Sequence, residues 1–207
     1  MQFIRGIMLE GISSSGKTST LLALKELHTQ QENSERSIIV LGEHYSQVVQ
    51  NIGGRLVRLE REEHLRLLHE RLSMLEKLGG WASTLGPFRR RSRGIFVVFE
   101  RFYLNHVAAF GGVDSPESAA IAQECARLGL RSALLTLPRE QMARRLRMHG
   151  AGATEDELEA AVARTSAEQD ACMKAAGAAQ VPTLTLDTTD MDWTAYARAI
   201  LAYMAEE

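Results

Sequence analysis

The chain has 207 residues, with 24 Lys and Arg against 26 Asp and Glu and a formal net charge of −2, a balance that argues against a globally basic nucleic-acid-binding surface. This length suits one domain spanning 1–207, large enough to bury a substantial core. The opening Met1-Gln2-Phe3-Ile4-Arg5-Gly6 has no basic stretch leading into a long apolar one, and no 18-residue apolar run occurs, so neither secretion nor a membrane span is predicted. Cys125 and Cys172 stand apart without metal-ligand spacing and read as reduced thiols of a cytoplasmic protein.

Apolar, β-rich runs occur at Phe3–Leu9, Ser37–Leu41, Gly94–Phe99, Ser132–Leu137 and Pro182–Leu186, with helical patterns between them. This alternation predicts an α/β fold built on a five-stranded parallel sheet with helices on both faces. The first run leads directly into Gly11-Ile12-Ser13-Ser14-Ser15-Gly16-Lys17-Thr18, which matches G-x-x-x-x-G-K-[ST] in full. In such a loop the glycines let the backbone curl until successive N–H groups face one anion, and the following helix adds its positive end. Lys17 would reach the β- and γ-phosphates and the Thr18 hydroxyl would hold Mg²⁺. Ser13, Ser14, Ser15 and Ser19 line the same turn.

A first helix is predicted over Lys17–Gln30. The segment Leu56–Leu78 places Leu65, Leu68, Leu72 and Leu75 on one stripe and reads as a core-facing helix, which could also pair with a copy of itself as a homodimer. Arg89-Arg90-Arg91-Ser92-Arg93 precedes the third strand and so falls at the amino edge of the sheet, where it reads as a solvated turn. Ser115-Pro116 resembles a cap with proline at the first helical position, opening a helix to about Leu128. Another begins at Pro138 and ends near His149-Gly150. Thr154 and Glu157 have capping-box spacing, which predicts a long helix after Gly150-Ala151-Gly152. The arginine-flanked segment from about 144 to 156 is where a lid would sit. His28, His64, His69, His106 and His149 show no metal spacing and read as solvated or capping groups. Trp81 and Trp193 read as packing anchors.

Ligands of an open parallel sheet bind at the carboxyl ends of its strands. The second strand ends in Gly42-Glu43-His44-Tyr45 and the third in Phe99-Glu100-Arg101-Phe102-Tyr103. A carboxylate there can accept a hydroxyl proton or help hold Mg²⁺, and an arginine can neutralise phosphate oxygens.

Met8-Leu9-Glu10-Gly11 running into the loop, the Glu-Arg-Phe-Tyr ending of the third strand and the arginine-rich segment after Pro138 together resemble the thymidylate kinases and deoxynucleoside kinases. Both belong to the P-loop nucleoside and nucleotide kinase group. The resemblance implies ATP as donor, Mg²⁺, and a small-molecule acceptor, with no nucleic acid or membrane as partner. Glu100-Arg101-Phe102 stands where these families carry Asp-Arg-Tyr or Glu-Arg-Ser, which implies a phosphate or substrate role for Arg101 and a metal role for Glu100. Glu43 stands where deoxynucleoside kinases place their base. Arg144, Arg145 and Arg147 resemble the lid arginines, and Asp187 and Thr189, in Leu186-Asp187-Thr188-Thr189, lie in a segment resembling the one near adenine. Ser13 replaces the acidic loop residue of thymidylate kinases, and the serine-rich loop also resembles chloramphenicol phosphotransferase. Three functions therefore fit: a nucleoside or nucleotide kinase, a phosphotransferase for an antibiotic or other metabolite, and a non-catalytic nucleotide-binding regulator.

Overall fold

The computed structural model describes residues 4–31, 37–84, 94–112, 114–148 and 154–205. Five strands, β1 (Ile4–Gly11), β2 (Ser37–Leu41), β5 (Ile95–Glu100), β6 (Leu130–Thr136) and β7 (Thr183–Asp187), form one sheet in the order β2-β5-β1-β6-β7. Every pairing in it is parallel. β1 is therefore central, and it is flanked by β5 and β6.

Strand residues alternate between two apolar layers, because successive side chains point to opposite faces. Ile4 and Met8 of β1 join Ile95, Val97 and Phe99 of β5 on one face. Ile7 and Leu9 join Phe96 and Val98 on the other. Helices α2 (Arg61–Thr84), α3 (Tyr103–Phe110), α4 (Pro116–Arg127) and α6 (Glu155–Ala178) supply residues to the first layer, and α1 (Lys17–Gln30) and α7 (Trp193–Ala205) cover the second. A third cluster packs α5 (Arg139–Met148) on α6 around Ile12, Leu137, Met142 and Leu158.

Several boundaries follow from local chemistry. Ser115 caps α4 by accepting from the Ser118 amide, with Pro116 at the first helical position. Thr154 and Glu157 form a reciprocal capping box at the start of α6. The leucine stripe of α2 is wholly inside, with Leu68, Leu72 and Leu75 fully buried.

One predicted boundary is corrected. Leu56 is not helical: it lies in β4 (Arg55–Arg58), which pairs antiparallel with β3 (Val49–Ile52) in a separate hairpin. Gly53 and Gly54 make its turn at φ 59° and 79°, the left-handed pair that suits a two-residue hairpin. The helix begins only at Arg61. The Arg89–Arg93 run, His149 and Gly150-Ala151-Gly152 lie outside the described residues.

Candidate functional site

The loop between β1 and α1 turns through Gly11 at φ 132°, Ser14 at φ 65° and Gly16 at φ 91°. Glycine is required at two of these positions for space as well as conformation. A Cβ on Gly11 would lie 2.4 Å from the Leu135 carbonyl oxygen, and one on Gly16 would lie 2.1 Å from the Trp193 ring. The loop is thus wedged between β6 and α7. Lys17 is buried beneath it and donates from Nζ to the carbonyls of Gly11 and Ile12 at 3.1 and 2.8 Å. Burial, then the charge of Arg101, push its pKa down to about 8.

The carboxyl end of β5 supplies the next groups. Glu100 shares the face of Phe96 and Val98, on the α1 side, and its Oε1 accepts from Thr18 Oγ1 at 3.0 Å. A hydroxyl and a carboxylate held together are hard oxygen donors that suit Mg²⁺. Arg101 follows with φ 57°, a left-handed backbone that is costly for a residue with a Cβ. That turn aims its guanidinium across the loop. It donates from Nε to Glu43 Oε2 at 3.1 Å, from Nη1 to Glu168 Oε1 at 3.1 Å and from Nη2 to Ser13 Oγ at 3.0 Å.

Each partner of Arg101 is itself positioned. Glu43 opens the short 3₁₀ turn Glu43–Tyr45 after β2, whose end is fixed when Ser46 Oγ donates to the Glu100 carbonyl at 2.9 Å. Glu168 sits on α6 beside Gln169, whose amide pairs in both directions with the Leu137 backbone at 2.8 and 2.9 Å. Helix α6 is thereby locked to the end of β6.

Of the three candidate lid arginines, Arg145 alone touches the loop among the described residues. It is buried, donates to the carbonyls of Ser14 at 3.3 Å and Thr188 at 2.5 Å, and lies 5.4 Å over the Trp193 ring. Arg147 instead makes an exposed bidentate pair with Glu155 at 2.7 and 2.8 Å, and Arg144 is exposed. Asp187 and Thr189 also stay off the loop. The Asp187 carboxylate accepts from the Thr189 amide and hydroxyl at 2.8 and 2.6 Å. It is the buried Thr188 between them that reaches the loop, donating to the Ser15 carbonyl at 2.9 Å.

Several functional neighbours carried no motif. Glu168 is one acid among many along α6. Glu10 is fully buried on the face of Ile4 and Met8, where one carboxylate oxygen accepts from the amides of Phe102 and Leu104 at 3.0 and 2.9 Å. It caps the first turn of α3 and so fixes the chain just after Arg101. Burial raises its pKa, while those amides oppose the shift. The available signal was the single acid of Met8-Leu9-Glu10-Gly11 at the end of β1. Trp193 packs as expected, but Trp81 is 60 % exposed. The histidines are also corrected: His28, His64 and His106 are buried, and His28 stacks on Phe96 at 4.4 Å between ring centres.

Two cavities meet at Arg101. One, of about 390 Å³, is lined by the loop, Lys17, Thr18, Glu43, Arg101 and Arg145. The other, of about 500 Å³, lies between the start of the hairpin, α3 and α6 and includes Gln47, Arg58, Arg101, Asn105 and Glu168.

No protein-family model matches the chain, and no curated protein is similar to it in sequence. Among solved structures it is similar to the YorR protein of Bacillus subtilis, determined in complex with phosphorylated GDP, with a TM-score of 0.61 and 13% identity over 96% of this chain and 94% of that one. It is also similar to a thymidylate kinase from Ehrlichia chaffeensis, with a TM-score of 0.49 and 15% identity over 96% of each chain. At 13% identity the likeness to YorR is one of fold. That fold is a five-stranded parallel sheet with helices on both faces and the Gly11–Thr18 loop at the end of its central strand.

Proposed function

We propose that the chain is a phosphotransferase that moves the γ-phosphoryl group of ATP to a hydroxyl of a small acceptor, of which nucleosides and nucleotide-like compounds are the leading class. One observation carries this reading: the loop lysine, a hydroxyl–carboxylate pair fit for Mg²⁺ and a carboxylate–arginine hub all converge where a donor cleft opens into a second pocket. Mg²⁺ held by Thr18 and Glu100 would neutralise phosphate oxygens and help align the donor.

The protein's own groups divide the remaining work. Lys17 leaves the Gly11 and Ile12 carbonyls for the β- and γ-phosphate oxygens, and Arg145 stabilises charge on the migrating group from the α5 side. Glu43 accepts the acceptor's hydroxyl proton as the oxygen bonds to the γ-phosphorus and the bond to the β-phosphate oxygen breaks, releasing ADP. The hydroxyl acceptor is favoured over a phosphate monoester by the state of Arg101. Its fork is already occupied by Glu43, Glu168 and Ser13, so an acceptor phosphate would have to displace a carboxylate.

A second reading, phosphotransfer to an antibiotic or another hydroxylated metabolite, is favoured by the walls of the acceptor pocket. Its lining includes Ala108, Ala109, Ala167 and Ala171, and no aromatic ring among the described residues on which a base could stack. An ADP-release screen over nucleosides, nucleotides and hydroxylated antibiotics tests both. Acceptor-dependent ADP is expected with a hydroxyl compound. ATP binding without such ADP for any acceptor would point instead to a nucleotide-binding regulator.

A further inference from the structure

We propose that His64 and His106 form a buried relay that positions the Glu43 turn beside Arg101, where the two cavities meet. This rests on the reading of Glu43 as the base. His64 lies on α2 and His106 on α3, and both are buried. Their rings are parallel to within 2°, with centres 5.1 Å apart. The two Nδ1 atoms are 2.9 Å apart, and His64 Nε2 is 2.9 Å from the Ser46 carbonyl oxygen.

These distances assign the protons. A carbonyl oxygen only accepts, so His64 Nε2 carries hydrogen and donates to Ser46. In a neutral ring its Nδ1 is then an acceptor, and His106 Nδ1 must be the donor. His106 Nε2 is left bare, and it is buried with no hydrogen-bond partner among the described residues. Burial, then the neighbouring His64 and Arg61, hold the His106 pKa down to about 4, which keeps the ring neutral. Burial lowers His64 as well.

Ser46 is where this chain acts on the site. Its amide donates to the Glu43 carbonyl at 3.1 Å, its hydroxyl donates to the Glu100 carbonyl at 2.9 Å and its own carbonyl is held by His64. One buried serine thus ties the turn carrying Glu43 to the end of the strand carrying Glu100, and the two histidines fix that serine from α2 and α3. Two apolar side chains could fill the same space without desolvating four ring nitrogens. What the histidines add is a directed hydrogen bond. Phe110 packs against both rings, and Arg58, which lines the acceptor pocket, lies 5.6 Å over Phe110.

Nitrogen-15 NMR of the wild-type side chains at pH 7 reads the tautomers and needs no acceptor. His64 should be protonated at Nε2 and His106 at Nδ1. Either ring in the opposite tautomer, or as a cation, would overturn the relay. With an active hydroxyl acceptor, His64→Phe should lower kcat by about 10–100-fold, the scale of losing a partner that orients a functional group, with KM for ATP little changed. His64→Gln, whose amide nitrogen reaches the Nε2 position, should recover most of the rate. In a Glu43→Gln background His64→Phe should cost little more, because the group it positions is already disabled. A loss that persists in full there means that His64 supports the core only, and the proposal fails. If Glu43→Gln alone turns over at the wild-type rate, the base assignment fails and the catalytic part of the proposal with it, a result distinct from the tautomers. Should His64→Phe not fold, the wild-type tautomers and the His64→Gln rate decide.

Discussion

Arg101 and Arg145 reach the same loop from the two strands that flank β1, yet they are held in opposite ways. Arg101, at the end of β5, is bracketed by two carboxylates and a serine hydroxyl. Arg145, on the helix after β6, is held by two backbone carbonyls and an indole face, with no carboxylate partner among the described residues. Carbonyls orient a guanidinium without cancelling its charge, whereas carboxylates do both. The difference suits the division of work proposed above: Arg145 would keep its charge for a phosphate, whereas the charge of Arg101 is met by Glu43 and Glu168. Arg101, which lines both cavities, therefore sits among acids, whereas Arg145 lines the loop cavity alone and meets none among the described residues.

The sharpest way to break this division is at Glu43. Glu43→Gln preserves shape and removes the charge that Arg101 organises, and should lower kcat by about 10²–10⁴-fold with a hydroxyl acceptor. Steady-state rates with the best acceptor check this, and equal turnover would return Glu43 to the role of a surface acid.

Next in size is the donor side. Lys17→Ala should cost about 10²–10³-fold in kcat, the scale of losing one preorganised charge stabiliser, with the circular dichroism spectrum unchanged. The wild-type lysine gives a second readout. Its pKa is pushed down to about 8, and only the cation pairs with phosphate. ATP affinity should therefore be level with respect to this group below pH 8 and fall above it, with proton uptake on binding, measurable by calorimetry in buffers of different ionisation enthalpy.

Arg145→Ala should reduce kcat by about 10²-fold and weaken ATP binding much less, since its charge acts chiefly on the transferring group. Arg147→Ala breaks only an exposed pair worth about 0–1 kcal/mol, so its kcat should stay within a few-fold of wild type. Equal losses from both variants would erase the distinction between the two arginines' settings. Glu168→Gln acts on acceptor binding rather than on rate. Freeing one arm of Arg101 should lower KM about 10-fold for an acceptor bearing phosphate, as one charge-assisted contact allows, and leave a hydroxyl acceptor nearly unchanged. A KM unaltered for both acceptor types would show that Glu168 does not guard that arm.

Legibility from sequence followed the range of the interactions. Helix α1, the five parallel strands and the two capped helix starts were all readable, because each depends on residues adjacent or a few positions apart. The β3–β4 hairpin was missed where Leu56 and Val57 looked like the first turn of a leucine-striped helix. The Gly53-Gly54 pair carried the opposite signal, but the hairpin's strands are only four residues each and mostly exposed. The buried histidines were unreadable for another reason: His64 sits in a polar-looking stretch of α2, and its partners lie 18 and 42 positions away.

By itself the sequence determined the loop, its central strand and the placement of Glu43, Glu100 and Arg101 at strand ends, since a parallel sheet sends all its carboxyl ends to one edge. Only the tertiary structure decided which of Arg144, Arg145 and Arg147 meets the loop, that Glu168 shares Arg101 with Glu43, and that Glu10 secures the turn between them. Those contacts join residues 58 to 131 positions apart. No local spacing encodes them, because they depend on how α5 and α6 dock beside β1 and on the left-handed turn of Arg101.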